Sequence, residues 1–396
     1  MKKRNYLPTI IAFLFLNVLQ SQTFIQRYAD IANQVSQSNI TTNLTEYEAL
    51  GVKRRGTAAL QNTLDWLKNK YTSFGYSASQ MTEDSYTYSG STAVCKNLII
   101  TKVGTVYPNT YVIVCGHYDS IVGTGTNDNG SGVVSILEMA RLLQNVPTEY
   151  SIKFINFSGE EDGLKGSQHF VSSVVNGTTP KMDIRLVFNL DEVGGVAGLT
   201  NNNITCERDT NNSPSTNNAV SATFTNELIT CVGYYSPLQT TLSYAYASDY
   251  MPFQANNEII TGFFETNETS HKHSATDLLV NMDPVYNFNV AKAATGAILH
   301  FAKAETALST TTIDQDFQVS FYPNPAKDSL HINIGVLKTT EYKVSVVDSN
   351  GKVVLVKEVK NPKLIETLQI SSLSKGMYLV QLQSEDKQIF KKILID

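Results

Sequence analysis

Between residues 97 and 303 the chain alternates short, unbroken apolar runs with segments of helical periodicity, and this alternation constrains the fold more than any other feature. Strands are expected over 97–102, 111–115, 151–157, 185–190 and 259–264. Helices are expected over 132–143, 164–175, 219–232 and 285–303. Two further helical patterns precede them, at 25–35 and at 55–74, the second ending at Gly75, a natural C-terminal cap. Runs such as Tyr111 to Cys115 carry apolar side chains at consecutive positions, so a strand built from them is buried on both faces. The pattern predicts an α/β fold: a mostly parallel central sheet with helices on both faces.

Near Thr306 the pattern changes. Residues 306–312 form a polar, Thr-rich linker, and the remaining 313–396 show alternation and turns without helical periodicity. Short strands are expected at 330–334, 342–347, 353–356, 364–370, 377–383 and 389–394, with Asn350-Gly351 as a hairpin turn, which suggests a small C-terminal β-sandwich. At the other end, Lys2-Lys3-Arg4, an apolar run over 10–19 and the small polar stretch Gln20-Ser21-Gln22 have the form of a signal peptide over 1–22. That run is shorter than the ~20 apolar residues a membrane span needs, and no later stretch is long and apolar enough. The catalytic part is then 23–305, and a product that is secreted or held at the cell surface, passing through the periplasm without a stable membrane span, is expected.

Charged residues make up 17% of the chain and the formal net charge is −5, with no clustered Lys and Arg beyond the first residues. Nucleic acid is therefore not an expected partner. The four cysteines, Cys95, Cys115, Cys206 and Cys231, form no CxxC pair. Cys206 and Cys231 flank an Asn-rich stretch and are the first choice for a disulfide, which export permits.

Metal-capable side chains recur at the ends of the expected strands, where open α/β sheets form their ligand crevice. His117-Tyr118-Asp119 follows 111–115. Asp128-Asn129-Gly130-Ser131-Gly132 opens the next helix. Gly159-Glu160-Glu161-Asp162-Gly163 follows 151–157, Asp191-Glu192 follows 185–190, and His271-Lys272-His273 comes after 259–264. Singly, each also reads as ordinary structure: a hydrogen-bonded histidine, a helix cap, a solvated acidic loop. Together they supply imidazoles and carboxylates at one edge of a sheet, a mixture that suits zinc, and a shared carboxylate suits two ions about 3.5–4 Å apart.

The order His-x-Asp, Asp-Asn-x-Ser-Gly, Glu-Glu-x-Gly-Leu-x-Gly-Ser, Asp and His resembles the co-catalytic zinc aminopeptidases of bacteria over about 25–303. Its most specific part is Glu160-Glu161-Asp162-Gly163-Leu164-Lys165-Gly166-Ser167. The resemblance implies two zinc ions per chain and hydrolysis of N-terminal residues from peptide substrates through a metal-bridging hydroxide. His117 and Asp191 would hold one zinc, Glu161 and His273 the other, and Asp128 both. Glu160 would be the general base and Asp119 the partner that orients His117. His273 fits the last ligand better than His271, because a small polar residue and then Asp277 follow it. Two departures stand out: Lys272 where the family commonly has Tyr, and Ser248-Asp249-Tyr250 where it has Ser-Asp-His. Phe321-Tyr322-Pro323-Asn324-Pro325, Gly376-Met377-Tyr378 and the closing residues 391–396 resemble the sorting domain of type IX secretion, implying that machinery as a partner. The competing expectations are a single-zinc glutaminyl cyclase, a carboxypeptidase or dipeptidase on the same scaffold, and a non-catalytic surface protein with a decayed site.

Overall fold

The computed structural model describes residues 23–88, 90–209, 213–305, 320–333, 341–348, 351–361, 363, 365–384 and 388–396. The expected signal peptide and linker, and Asn350 of the expected hairpin, lie outside these residues.

In chain order the first part runs α1 (Gln26–Ala32), α2 (Gln37–Ala49), α3 (Ala58–Ser73), β1 (Met81–Tyr86), β2 (Cys95–Lys102), β3 (Tyr107–His117), α4 (Gly130–Leu143), β4 (Tyr150–Phe157), α5 (Lys165–His169), β5 (Asp183–Leu190), β6 (Asn203–Arg208), α6 (Asn218–Tyr235), β7 (Gln239–Tyr244), α7 (Met251–Ala255), β8 (Ile260–Glu265) and α8 (Pro284–Phe301). The helices begin where side chains can take up free backbone N–H groups. Ser36 accepts from Asn39 N, Thr57 from Leu60 N, Asn129 from Gly132 N, and Asp283 from Val285 N and Tyr286 N, with Pro284 at the first helical position.

The eight strands form one sheet in the order β1-β2-β4-β3-β5-β8-β6-β7. Its centre, β4-β3-β5-β8, is parallel throughout, so the carboxyl ends of those four strands share one edge. The strands flanking this centre, β2 and β6, pair with it in the antiparallel sense. The unbroken apolar runs are explained by burial on both faces. Val112 and Val114 of β3 join the core formed with α1, α3, α4, α6 and α8, while Ile113 and Cys115 join the core beneath Phe170, Val171 and Phe253 on the other side. The expected mostly parallel sheet with helices on both faces is thus the architecture observed.

The differences have physical causes. The helix expected over 25–35 stops at Ala32, and α2 follows; its sequence is rich in Thr and Asn, and only Ile40, Asn43, Leu44 and Tyr47 turn inward. Strands β1, β6 and β7 have polar sequences that carry no strand signal; β1 and β7 are the two sheet edges, where one face and one ladder are open to water. The helix expected over 164–175 is α5 continued by a wider π turn over Phe170–Val175. The expected Cys206–Cys231 disulfide is absent: all four cysteines are buried thiols that form no disulfide. Cys206 faces inward from β6 and Cys231 from α6, and both serve as small apolar groups of the same core.

Residues 307–396 form a separate compact unit. It contains β9 (Ser320–Tyr322), β10 (Ser329–Asn333), β11 (Glu341–Val347), β12 (Val353–Lys360), β13 (Ile365–Gln369), β14 (Gly376–Gln383) and β15 (Gln388–Ile395). They make a three-stranded sheet, β13-β10-β9, and a four-stranded sheet, β12-β11-β14-β15, both antiparallel. Leu330, Ile332, Val344, Val346, Val380 and Ile393 share one core between them. Among the described residues no helix is long and apolar enough to cross a membrane.

Candidate metal centre

The four parallel strands deliver their residues to one place. His117 closes β3, Glu160 and Glu161 follow β4, Asp191 is the first residue after β5, and His273 lies in the loop after β8. Asp128 sits just before α4, on the turn that leaves the end of β3. Its carboxylate is divided between two imidazoles: Oδ1 lies 3.2 Å from His117 Nε2 and Oδ2 lies 3.2 Å from His273 Nε2. Asp191 Oδ1 is 3.4 Å from His117 Nε2, and Glu161 Oε2 is 3.0 Å from His273 Nε2. Two donor groups result, His117–Asp128–Asp191 and Asp128–Glu161–His273, with Asp128 common to both.

These residues fit zinc. Donors about 2.0–2.1 Å from a tetrahedral ion stand about 3.3 Å from one another, close to the separations here. Asp191 Oδ1 is buried and accepts no hydrogen bond. No Lys or Arg is paired with Asp128, Glu160, Glu161 or Asp191 among the described residues, so these four carboxyl groups have only imidazoles to balance them. The titration behaviour reflects that imbalance. Burial, followed by the negative charge of Asp249, Asp191 and Asp119, pushes Glu160 up to about 10 against the pull of His117. Burial and then Asp128 push Glu161 up to about 8. Burial disfavours a charge on His117, but Asp191, Glu160, Asp119 and Asp128 outweigh it and hold the imidazole protonated well above its usual range. Burial opposes ionisation of Asp128 too, yet the two histidines pull it far below the ordinary carboxylate range. Divalent cations would replace those protons.

The supporting contacts refine the sequence expectations. His117 Nδ1 lies 3.2 Å from the backbone oxygen of Asp119 and 3.7 Å from its carboxylate, so the main chain makes the shorter contact. The Asp119 carboxylate accepts instead from the backbone N–H groups of Glu160 (3.2 Å) and Glu161 (3.3 Å), and thereby sets the turn carrying both glutamates. His271 stands apart, its Nδ1 2.7 Å from Thr276 Oγ1, while His273 enters the donor group. Several contributors carried no clear signal. Asp277, weighed only as a spacing mark, accepts from Asn127 N (2.8 Å) and Asp128 N (3.1 Å). Glu265 takes both the Asn127 amide and Gly195 N. Ser248 donates to Asp191 Oδ2 at 2.6 Å; the Ser248-Asp249-Tyr250 stretch was the available hint.

The donors line a cavity of about 550 Å³ whose other walls include Glu192, Glu207, Tyr246, Tyr250, Phe264 and Lys272. Tyr250, at the position of the family's His, donates to Glu207 Oε2 at 2.5 Å. Lys272 pairs with Glu192 (3.3 Å) and with Glu268. Among the described residues seven non-glycine residues have positive φ, and four of them, Leu164, Glu192, Ala247 and His273, line this cavity. Backbone in that region is tolerated where surrounding contacts over-determine it, as at functional sites.

A parallel sheet whose carboxyl edge gathers histidines and carboxylates around one shared aspartate defines a metallopeptidase-type α/β chain. The chain belongs to Peptidase family M28, whose model matches residues 97–297, about half of its length; residues 320–396 match the secretion system C-terminal sorting domain. It is 46% identical over 84 residues to the aminopeptidase YwaD of Bacillus subtilis, a segment that is 21% of this chain and 18% of that protein. The chain thus covers about a fifth of the length of that relative. In fold it is similar to the LapA aminopeptidase of Legionella pneumophila (TM-score 0.60, 19% identity, 76% of this chain and 80% of that one). It is equally similar to the glutaminyl cyclase of Macrostomum lignano (TM-score 0.60, 14% identity, 70% and 93%).

Proposed function

We propose that this chain is an exported aminopeptidase that uses two zinc ions to remove N-terminal residues from peptides. The observation that carries the proposal is the division of the Asp128 carboxylate between two histidine–carboxylate groups. His117 and Asp191 would hold one ion, Glu161 and His273 the other, and Asp128 would bridge them. When bound, the zinc pair supplies Lewis acidity, polarising the scissile carbonyl and making water acidic enough to deprotonate near neutral pH. Glu160 lines the cavity beside the donors without being one of them. It takes the proton of the attacking water and returns it to the leaving amine. The zinc pair would also draw Glu160 down from its raised range, so that it is ionised at working pH. Asp119 is a positioning residue: its backbone carbonyl fixes the His117 tautomer and its carboxylate fixes the Glu160–Glu161 turn.

The second donor group, Asp128–Glu161–His273, favours this reading over a single-zinc cyclase. The charge of the cavity favours an amino- over a carboxypeptidase. Lys272 is its only Lys or Arg among the described residues and is already tied to two glutamates, leaving no free cation for a substrate carboxylate. The sorting-domain match supports export to the cell surface or beyond, with the type IX machinery as partner and 1–22 as signal peptide.

The test joins metal counting to turnover. The purified chain should hold two zinc ions and release the first residue from free peptides but not from N-acetylated ones. Glu160→Gln should keep both ions and lose about 100- to 10,000-fold in kcat. One zinc per chain together with pyroglutamate formed from N-terminal Gln would establish the cyclase instead.

A further inference from the structure

Glu192 is the residue after Asp191, and the reaction as described leaves it without a task. Its backbone has φ +44, and its carbonyl accepts from Glu265 N at 2.9 Å, which fixes the turn that aims the side chain into the cavity. The side chain is only 9% exposed. One oxygen, Oε1, lies 3.3 Å from Lys272 Nζ. The other, Oε2, is buried and has no hydrogen-bond partner. A buried carboxylate oxygen without a donor is costly, and such groups are found where a ligand completes them.

The neighbouring charges say what kind of ligand that is. Lys272 is shared between Glu192 and Glu268, so two carboxyl groups face a single ammonium. The partner that balances this group is a cation with N–H donors. Peptide geometry says where it would sit. The α-nitrogen of a substrate is about 2.5 Å from the carbonyl carbon of its own residue. A receptor within hydrogen-bond reach of that nitrogen lies within about 5 Å of the reacting carbon, a distance that a residue adjoining a metal ligand can meet. Glu192 adjoins Asp191 in the chain and shares its cavity.

We propose that Glu192, through its unpartnered Oε2, receives the free α-ammonium group of the peptide substrate and so makes the cavity specific for unblocked N-termini. The proposal rests on the aminopeptidase reading above and identifies the group that would enforce it. An acetylated or des-amino substrate would leave Oε2 desolvated and unpaired, the situation in which a polar site discriminates most strongly.

The experiment compares two zinc-binding inhibitors on the zinc-loaded full chain: leucine hydroxamate and its des-amino counterpart, 4-methylpentanoyl hydroxamate. They differ only in the α-amine. The wild type should bind the amine-bearing compound about 10- to 100-fold more tightly. Glu192→Gln keeps the shape and can still accept from Lys272, and it should bring that ratio close to one. Its zinc content and its affinity for the des-amino compound should stay unchanged. If the variant keeps the wild-type ratio, or loses zinc or des-amino binding, Glu192 serves the fold or the metal and the proposal is overturned. If the wild type binds both compounds equally, the proposal fails while the zinc peptidase stands. If the wild type holds no zinc and binds neither, the underlying reading fails with it.

Discussion

At the residue scale the informative side chain is Asp119, whose carboxylate serves the two glutamates more directly than it serves His117. Asp119→Ala would leave two backbone N–H groups without their acceptor, a cost of about 1–3 kcal/mol where they are buried. We expect kcat to fall about 10- to 100-fold with zinc content nearly unchanged, since the His117 contact from the main chain survives; loss of the zinc would show the opposite division of labour. Protons report on the same residues. In the metal-free fold Glu160 and Glu161 keep their protons up to about 10 and about 8, whereas the unfolded chain releases them near 4.5. The fold then binds more protons than the unfolded chain. Its stability is full below about pH 4.5 and declines as pH rises towards 8, by roughly 1.4 kcal/mol per pH unit for each such group. His117, held protonated, acts in the same direction; Asp128, held low, acts oppositely, and only below its usual value of 3.8. With chelator present, calorimetry should give a Tm that drops between pH 5.5 and 8, and zinc should flatten that slope. Equal slopes with and without zinc would contradict the cation-balanced site.

At the element scale the site depends on how closely α4 approaches β5. A Cβ on Gly132 would lie 2.4 Å from Asn129 Oδ1 and 2.6 Å from the Leu190 backbone oxygen. Replacing a helical glycine by alanine ordinarily gains about 1 kcal/mol. Here the clash is with main chain that cannot swing away and with the side chain that caps the helix, so the overpacking cost of about 1–3 kcal/mol should win. Gly132→Ala is expected to lower Tm and weaken zinc binding, because Leu190 immediately precedes Asp191 and Asn129 follows Asp128; a raised Tm would show that the turn can give. The elements legible in the sequence were those buried on both faces, such as β3, where burial enforces an unbroken apolar run. The polar edge strands β1 and β7 were silent, since solvent on one side removes that demand.

At the scale of the whole molecule the chain divides into two compact units, each with its own apolar clusters among the described residues. Leu330, Val344 and Val380 belong to a cluster confined to residues beyond 320, and the clusters that include β3, β4 and α8 end by Ala304. A chain of residues 23–305 is therefore expected to fold, bind zinc and keep kcat/KM within about twofold of the full chain. A truncated chain that is insoluble or inactive in the same assay would show that the catalytic unit needs its partner domain to fold.

Local periodicity set by short-range geometry is what the sequence alone determined. It gave the buried strands, the capped helices, the change of pattern near 306, and donor types waiting at strand ends. Tertiary structure decided the matters that depend on contacts far apart in the chain. It set Asp277 against the amide of Asp128 across 149 residues and brought Lys272 to Glu192 across 80. It also left Cys206 and Cys231 as separate thiols in one core. The physical reason is that a residue's spacing reports the backbone it sits on, whereas its partner is chosen by packing, and packing brings together segments whose sequences carry no record of one another.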